Sequence, residues 1–376
     1  MKLTSLQARM RIPVSCCFFL ALIVAVPTLP ARAQKARVSH AQAVARAKAI
    51  VAKMTLDEKI TELHGVGSPT EFRIVPGIPR LGIPPLQMTN GPAGVGPGGV
   101  GPQKEATAMP SPLTLAASWD PALAYDYGKV LGEETRATGN TLMEGPDVNI
   151  ARVPQGGRDF ESFGEDPYLD SRIAVANIDG IQSTGIMATV KHYIANNQED
   201  QRFRVNEEIG ERALREIYMP AFKAAIEEAH SASVMCAYPK VNGVYNCENT
   251  PLLDGVLKKE WKFDGFVMSD WGATHSTVPS AFAGLDLEMP TGKYFGDDLK
   301  KAVQSGAVPV SVINDKLVRR LPRQSSSAPG YQCPGPRPSR RSRTARSIAK
   351  LPNPAWCCSR TKAIFCRSPK TSAILR

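Results

Sequence analysis

Short apolar runs of strand length alternate along this chain with stretches of helical length. His40 to Met54 is an Ala-rich helical stretch, and Thr55-Leu56-Asp57-Glu58 spells a capping box that opens a second helix to about His64. Gly65 to Pro85 reads as loop, and Leu86-Gln87-Met88 as a short strand ending at Thr89-Asn90-Gly91-Pro92. Asp120-Pro121 places an N-cap before a proline, so a helix is expected from there to about Thr138 with Gly139 as its stop. Pro146 to Ile150 reads as strand, Leu169 to Ser183 as helix, and Ile186 to Lys191 as a β-rich run leading into His192-Tyr193. Glu211 to His230 is helical with a break at Pro220, Ala232 to Ala237 is a strand, and Thr250-Pro251 opens a helix to Trp261. A strand at Phe266-Val267-Met268, a short one at Gly284 to Glu288, and helices between Asp298 and Leu321 complete the series.

Strands alternating with helices predict either an α/β barrel or a doubly wound sheet. Polar and charged residues follow many of the strands: Asn90, Arg158, Lys191-His192, Tyr238 and Asp270. Chemistry at strand C-termini all around a sheet fits a (β/α)8-like, TIM-type barrel better.

Composition changes the picture at the two ends. The chain has 376 residues and a net charge of +11, which invites a nucleic-acid reading. Arg319 to Arg376 carries 14 of the 46 Lys+Arg residues and no Asp or Glu, leaving 32 basic against 35 acidic residues in the remainder. The body is therefore nearly neutral, and no nucleic-acid partner is expected for it. The Ser-, Pro-, Arg- and Cys-rich residues 322–376 cannot build a core and are expected to be disordered. Arg337 to Arg346 resembles an RNA-binding Arg/Ser segment, but the abrupt switch is better read as a frame change after the last barrel helix. Residues 1–33 read as a secretory signal: Lys2, Arg9 and Arg11, then apolar Val14 to Val26, then Ala31-Arg32-Ala33. Cleavage after Ala33 would deliver residues 34–321 as a barrel domain, secreted or periplasmic, with no membrane span.

Of the eight cysteines only Cys236 and Cys247 lie in the body. They can form one local disulfide or stay as two buried thiols, and spacing does not choose between these. No CxxC pair or His/Cys cluster suggests a metal. Gly96-Pro97-Gly98-Gly99-Val100-Gly101 spells a dinucleotide fingerprint, but Pro97 and the prolines after it forbid the helix that the fingerprint must open. No cofactor is expected.

Chemistry is concentrated at Phe263 to Gly272. Asp264-Gly265 is a turn signal, Phe266-Val267-Met268 a strand, and Asp270-Trp271 a carboxylate beside a flat apolar platform at the strand's end. The alternative is an Asp that merely caps the next helix.

Three further stretches accompany it: Asn149 to Pro167, containing Gly156-Gly157-Arg158-Asp159-Phe160-Glu161; Val190-Lys191-His192-Tyr193 with Asn196-Asn197-Gln198-Glu199; and Cys236-Ala237-Tyr238-Pro239. Together with Ser269-Asp270-Trp271-Gly272 they resemble the N-terminal barrel of glycoside hydrolase family 3, over about Ala43 to Leu321. The resemblance implies a retaining β-glucosidase-type hydrolase acting on β-linked glucosides, with β-xylosidase or a non-catalytic sugar-binding barrel as alternatives. It implies that Asp270 is the nucleophile and that Trp271 borders the first sugar. Arg158, Lys191 and His192 would hold sugar hydroxyls, with Arg202 and Tyr238 close by. Two departures stand out. Asn90 occupies a position where the family commonly has Asp, and Gly96 one where it often has Arg. An amide exchanges hydrogen bonds with a hydroxyl but is no anionic clamp. The family also draws its general acid/base, usually a Glu, from a second domain after the barrel, where this chain has the basic tail. Glu161, Glu165 and Glu288 are the barrel's own acids and are structural by default. The Asn196-Asn197-Gln198-Glu199 loop does not resemble the Pro-Gly-His-Gly type loop of the family's N-acetylglucosaminidase branch.

Overall fold

The structure, a computed structural model, describes residues 39–68, 73–96 and 105–326. Residues 1–38, where a secretory signal is expected, most of the glycine-rich segment and the residues beyond Ser326 lie outside the described residues.

The capping signals set the helix starts. Ser39 and Thr55 open α1 (His40–Val51) and α2 (Leu56–Thr61), each with both bonds of a capping box. Ser111 caps the short α3 (Pro112–Ala116). Asp120 and Asp166 open α4 (Pro121–Ala137) and α5 (Pro167–Ser183), each carboxylate accepting two backbone N–H groups ahead of a first-turn proline. These two helices pack closely at glycines. A Cβ on Gly128 would lie 2.1 Å from the Asn177 carbonyl oxygen, and one on Gly180 2.1 Å from that of Tyr125.

The strands are β1 (Ile74–Val75), β2 (Leu86–Asn90), β3 (Leu142–Glu144), β4 (Met187–Tyr193), β5 (Asn206–Glu207), β6 (Ser233–Cys236), β7 (Lys240–Val241), β8 (Val244–Tyr245) and β9 (Phe266–Ser269). Six of them form one sheet in the order β1-β2-β3-β4-β6-β9, parallel except for the β1–β2 pair. Two single-bridge segments close it. Leu287 pairs in parallel with Met268 of β9, Glu288 pairs with His64, and the Val66 N–H reaches the Ile74 carbonyl of β1 at 3.0 Å. The six strands and these two segments are the eight staves of a (β/α)8-like barrel, one stave running antiparallel.

Several boundaries differ from expectation. The third stave is Leu142–Glu144, not residues 146–150, because Pro146 has no N–H and only Asp147 bridges to Lys191. Gly284 to Glu288 contributes bridges instead of a full strand. Within the expected loop of residues 65–85 lies β1. A separate three-stranded sheet, β5-β7-β8, was not expected, its strands being only two residues long. Helix α6 (Glu211–Ala213) and a π turn at Leu214–Tyr218 precede α7 (Pro220–Glu227), so the break falls at Pro220. The segment Pro251–Glu260 is also π-helical. Helices α8 (Val278–Ala283), α9 (Asp297–Gln304) and α10 (Val310–Ser326) follow, α10 continuing past Leu321. Among the described residues no helix is long and apolar enough to cross a membrane.

Two apolar layers result. Helices and outer strand faces share one large core, while Leu86, Met88, Leu142, Met187, Met235, Phe266, Met268, Leu287 and Met289 fill the barrel. The period of two then fixes what sits above that filling. Leu86 and Met88 lead to Asn90, Leu142 to Glu144, and Phe266 and Met268 to Asp270, each on the same face of its strand.

Two stability predictions arise here. Cys236 and Cys247 are disulfide-bonded, with Cα atoms 5.3 Å apart and a sequence separation of 11. This bond anchors the end of β6 to the loop beyond β8, and opening so short a loop should cost about 2–3 kcal/mol. Urea unfolding with and without reductant, compared with a Cys236→Ser/Cys247→Ser variant, measures it.

The other concerns Asp170 on α5. It is fully buried, and neither carboxyl oxygen has a hydrogen-bond partner. Burial, with help from the Asp147 and Asp166 carboxylates, pushes its pKa up to about 8. The folded state therefore keeps a proton that the unfolded chain gives up near pH 4. Stability contributed by this group falls as pH rises from about 4 to about 8. Asp170→Asn should raise the melting temperature at pH 8, by on the order of a few kcal/mol of stability, and change little at pH 4. An equal effect at both pH values would contradict the assignment.

Candidate active site

At the C-terminal ends of the staves a cavity of about 380 Å³ is lined by Arg73, Asn90, Glu144, Arg158, Glu161, Lys191, His192, Arg202, Met235, Tyr238, Asp270 and Trp271. All eight residues singled out in the sequence line it: Asn90, Arg158, Lys191, His192, Arg202, Tyr238, Asp270 and Trp271.

Asp270 follows β9 and is 7% exposed. Its backbone N–H donates to the Cys236 carbonyl at 3.0 Å, which fixes the residue against the end of β6. Oδ1 accepts the Trp271 backbone N–H at 2.7 Å, and Oδ2 faces Nε2 of His192 at 3.4 Å. One carboxylate oxygen is thus held by the backbone, while the other has no hydrogen-bond partner.

Lys191 and His192 come from β4. Its pairing register with β6 slips between Val190 and Tyr193, and both side chains reach the cavity. The Lys191 ammonium donates to Asn90 Oδ1 at 3.0 Å and lies 3.3 Å from Glu161 Oε2. His192 Nδ1 lies 3.1 Å from Asn149 Oδ1 and 3.3 Å from Asp147 Oδ2. Burial, followed by the Arg158 cation, holds the His192 pKa well below that of an ordinary imidazole, so the ring is neutral at pH 7. Burial raises the pKa of Asp147 behind it.

Arg158 precedes a 3-10 turn at Asp159–Glu161 and bonds Glu161 twice, at 3.4 and 3.2 Å, and Glu199 at 3.4 Å. Burial works against its charge, but Asp147, Glu161 and Asp270 more than offset that and keep the guanidinium protonated. Glu161 is likewise buried, yet Lys191 and Arg158 pull its pKa below the usual carboxylate value. Arg202 bonds Glu199 at 2.7 Å and lies 4.4 Å from the Tyr238 ring centroid, while Phe203 packs edge-on to Tyr238 at 4.6 Å. Burial, and then the Asp270 charge, push the Tyr238 phenol up, so it is a hydrogen-bond donor at any working pH.

The opposite wall was missed in the sequence. Arg73 ion-pairs with Glu144 and lies 4.5 Å from the Trp271 ring centroid. Arg73 lay in what reads as loop. Glu144 carried a usable signal, a charge ending an apolar run before Gly145-Pro146, but the strand was placed after that proline. The other expected acids are elsewhere. Glu165 is exposed, and Glu288 binds the backbone N–H groups of Tyr294 and Phe295 outside the cavity. Burial raises the Glu288 pKa to about 7. No group of three or more His, Cys, Asp or Glu side chains placed to hold a metal occurs among the described residues.

The arrangement is a polar, cation-rich cup with three carboxylates and an aromatic platform, set on a TIM-type barrel. Comparison with known proteins assigns the family: residues 81–322 match the Glycosyl hydrolase family 3 N terminal domain, and the chain belongs to that family. It is 42% identical over 291 residues to β-glucosidase BoGH3A of Bacteroides ovatus, covering 72% of this chain and 38% of that protein. It is 44% identical over 282 residues to thermostable β-glucosidase B of Acetivibrio thermocellus, covering 73% and 37%. In structure it is similar to DesR, a β-glucosidase from Streptomyces venezuelae in complex with D-glucose, with TM-score 0.72, 43% identity, and coverage of 81% of this chain and 40% of that one. β-Glucosidase 3B from Thermotoga neapolitana in complex with glucose gives TM-score 0.70 at 35% identity, covering 73% and 42%. The chain thus spans under two fifths of the length of these curated relatives.

Proposed function

We propose that this chain is the barrel of a retaining β-glucosidase-type hydrolase that removes terminal β-D-glucosyl residues. The observation that carries the reading is the convergence of Asp270, Trp271, Lys191, His192, Arg158, Arg202 and Tyr238 from separate segments on one cavity. Glucose bound in similar structures supports the sugar class. In the proposed first step the free oxygen of Asp270 attacks the anomeric carbon, the glycosidic C–O bond breaks, and the leaving oxygen takes a proton from an acid. Water then hydrolyses the glycosyl ester and restores the carboxylate. Lys191, Arg158 and Arg202 donate to ring hydroxyls and accept nothing, so they orient the sugar. Trp271 supplies the apolar face against which the ring lies.

A second reading, a sugar-binding barrel without turnover, is favoured by the state of the other cavity carboxylates. Glu161 is held ionised by Lys191 and Arg158, and Glu144 is tied to Arg73. Release of nitrophenolate from 4-nitrophenyl β-D-glucoside separates the two readings, and the matching β-xyloside tests the alternative sugar. We also propose export with cleavage after Ala33. The A-x-A site and the Cys236–Cys247 bond support it. Mass determination of the secreted chain should find Gln34 first, and an uncleaved Met1 would refute it.

A further inference from the structure

We propose that Glu144, anchored by Arg73, is the specificity-determining acceptor for one hydroxyl of the bound sugar. The proposal rests on the β-glucoside reading of the cavity. Asn90 and Glu144 are register partners on the neighbouring parallel strands β2 and β3, so their side chains leave the same face of the barrel side by side. Asn90 has its side-chain oxygen committed to Lys191. The carboxylate available at this end of the cavity is therefore one strand over, at Glu144.

Glu144 is 2% exposed and lines the cavity. One of its oxygens, Oε2, is taken by Arg73. The other, Oε1, is buried and has no hydrogen-bond partner. A buried carboxylate oxygen left without a donor is costly, and a hydroxyl placed in the cavity removes that cost. Arg73 fixes the acceptor before any ligand arrives, because its guanidinium also lies against the Trp271 ring. The result is a preset acceptor on the same wall as the apolar platform. An ionised carboxylate accepts and has nothing to donate, so it selects a hydroxyl over hydrogen, fluorine or a methyl ether at that position.

The test is calorimetric titration of the full chain with glucose and its 2-, 3-, 4- and 6-deoxy analogues. Wild type, Glu144→Gln and the double variant Arg73→Met/Glu144→Gln are compared. The double variant guards against misfolding, since it leaves neither charge buried alone. In the wild type one deoxy analogue should bind about 10–100-fold more weakly than glucose through loss of the Glu144 contact. That one penalty should shrink to within about 3-fold in the variants, while the penalties for the other hydroxyls persist. Glucose binding with every deoxy penalty unchanged in the variants would overturn the role of Glu144 alone. A wild-type chain that bound none of these sugars would overturn the β-glucoside reading, and this proposal with it.

Discussion

Asp270→Asn should reduce release of nitrophenolate from 4-nitrophenyl β-D-glucoside by at least about 10⁴-fold, since an amide oxygen is a poor nucleophile and no other group in the cavity can replace it. The geometry says why. The other carboxylates of the cavity are held by cations, Glu161 by Arg158 and Lys191, and Glu144 by Arg73. Oδ2 of Asp270, by contrast, faces the neutral His192 ring at 3.4 Å, with the Tyr238 phenol beside the carboxylate. Asparagine keeps the shape, and its side-chain oxygen can still accept the Trp271 backbone N–H. Glucose affinity should therefore change by less than about 10-fold, because the cations proposed to hold the hydroxyls are untouched. Calorimetric titration with glucose and initial rates on the aryl glucoside, run on the same preparation, measure both. A variant that lost binding and turnover together would make Asp270 a binding group and end its assignment as the nucleophile.

The second large effect concerns the leaving group. In the proposed mechanism attack by Asp270 is half of the chemistry, and the departing oxygen also needs a proton. Glu161, an acid of the cavity wall, is kept ionised by Lys191 and Arg158 and is poorly suited to give one. General-acid assistance typically contributes about 10²–10⁴-fold. The 376-residue chain should therefore turn over 4-nitrophenyl β-D-glucoside, whose leaving group needs little protonation, and cleave cellobiose about 10²–10⁴-fold more slowly than expected for an assisted enzyme. A steep dependence of rate on leaving-group pKa across a series of aryl glucosides is the diagnostic. A flat dependence, with ready cellobiose cleavage, would show that an acid is present. Glu161→Gln would then be the first variant to make.

Asn90, where the family resemblance implies Asp, lines the same cavity. Lys191 donates to Asn90 Oδ1, a bond that an amide accepts without adding charge. A carboxylate there would bring a second anion beside Glu144 on the next strand.

Most of the local structure followed from short-range rules. The capping box at Thr55 and the Asp-Pro start at Asp120 depend on a few consecutive residues, so the sequence alone placed those helix starts. The apolar run before Asp270 is of the same kind, as is the carboxylate-indole pair that ends it. Four ordered motifs carried the family resemblance and, with it, eight of the cavity's residues.

Other features were decided only by the closed barrel. Whether His64 and Glu288 act as staves depends on a bridge between residues more than two hundred positions apart, which no local pattern reports. The same holds for the placement of β3 before Pro146, since its ladder needs β2 and β4 on either side. The Cys236–Cys247 bond required the end of β6 and the turn beyond β8 to meet. Arg73 and Glu144 are the clearest case. In the sequence they are a loop cation and an acid before a Gly-Pro pair. They become a cavity wall only because β1 runs back beside β2, and β2 beside β3, which brings a guanidinium, a carboxylate and the Trp271 ring together. Charge pairing across 71 positions is set by the register of strands, and register is a property of the folded sheet.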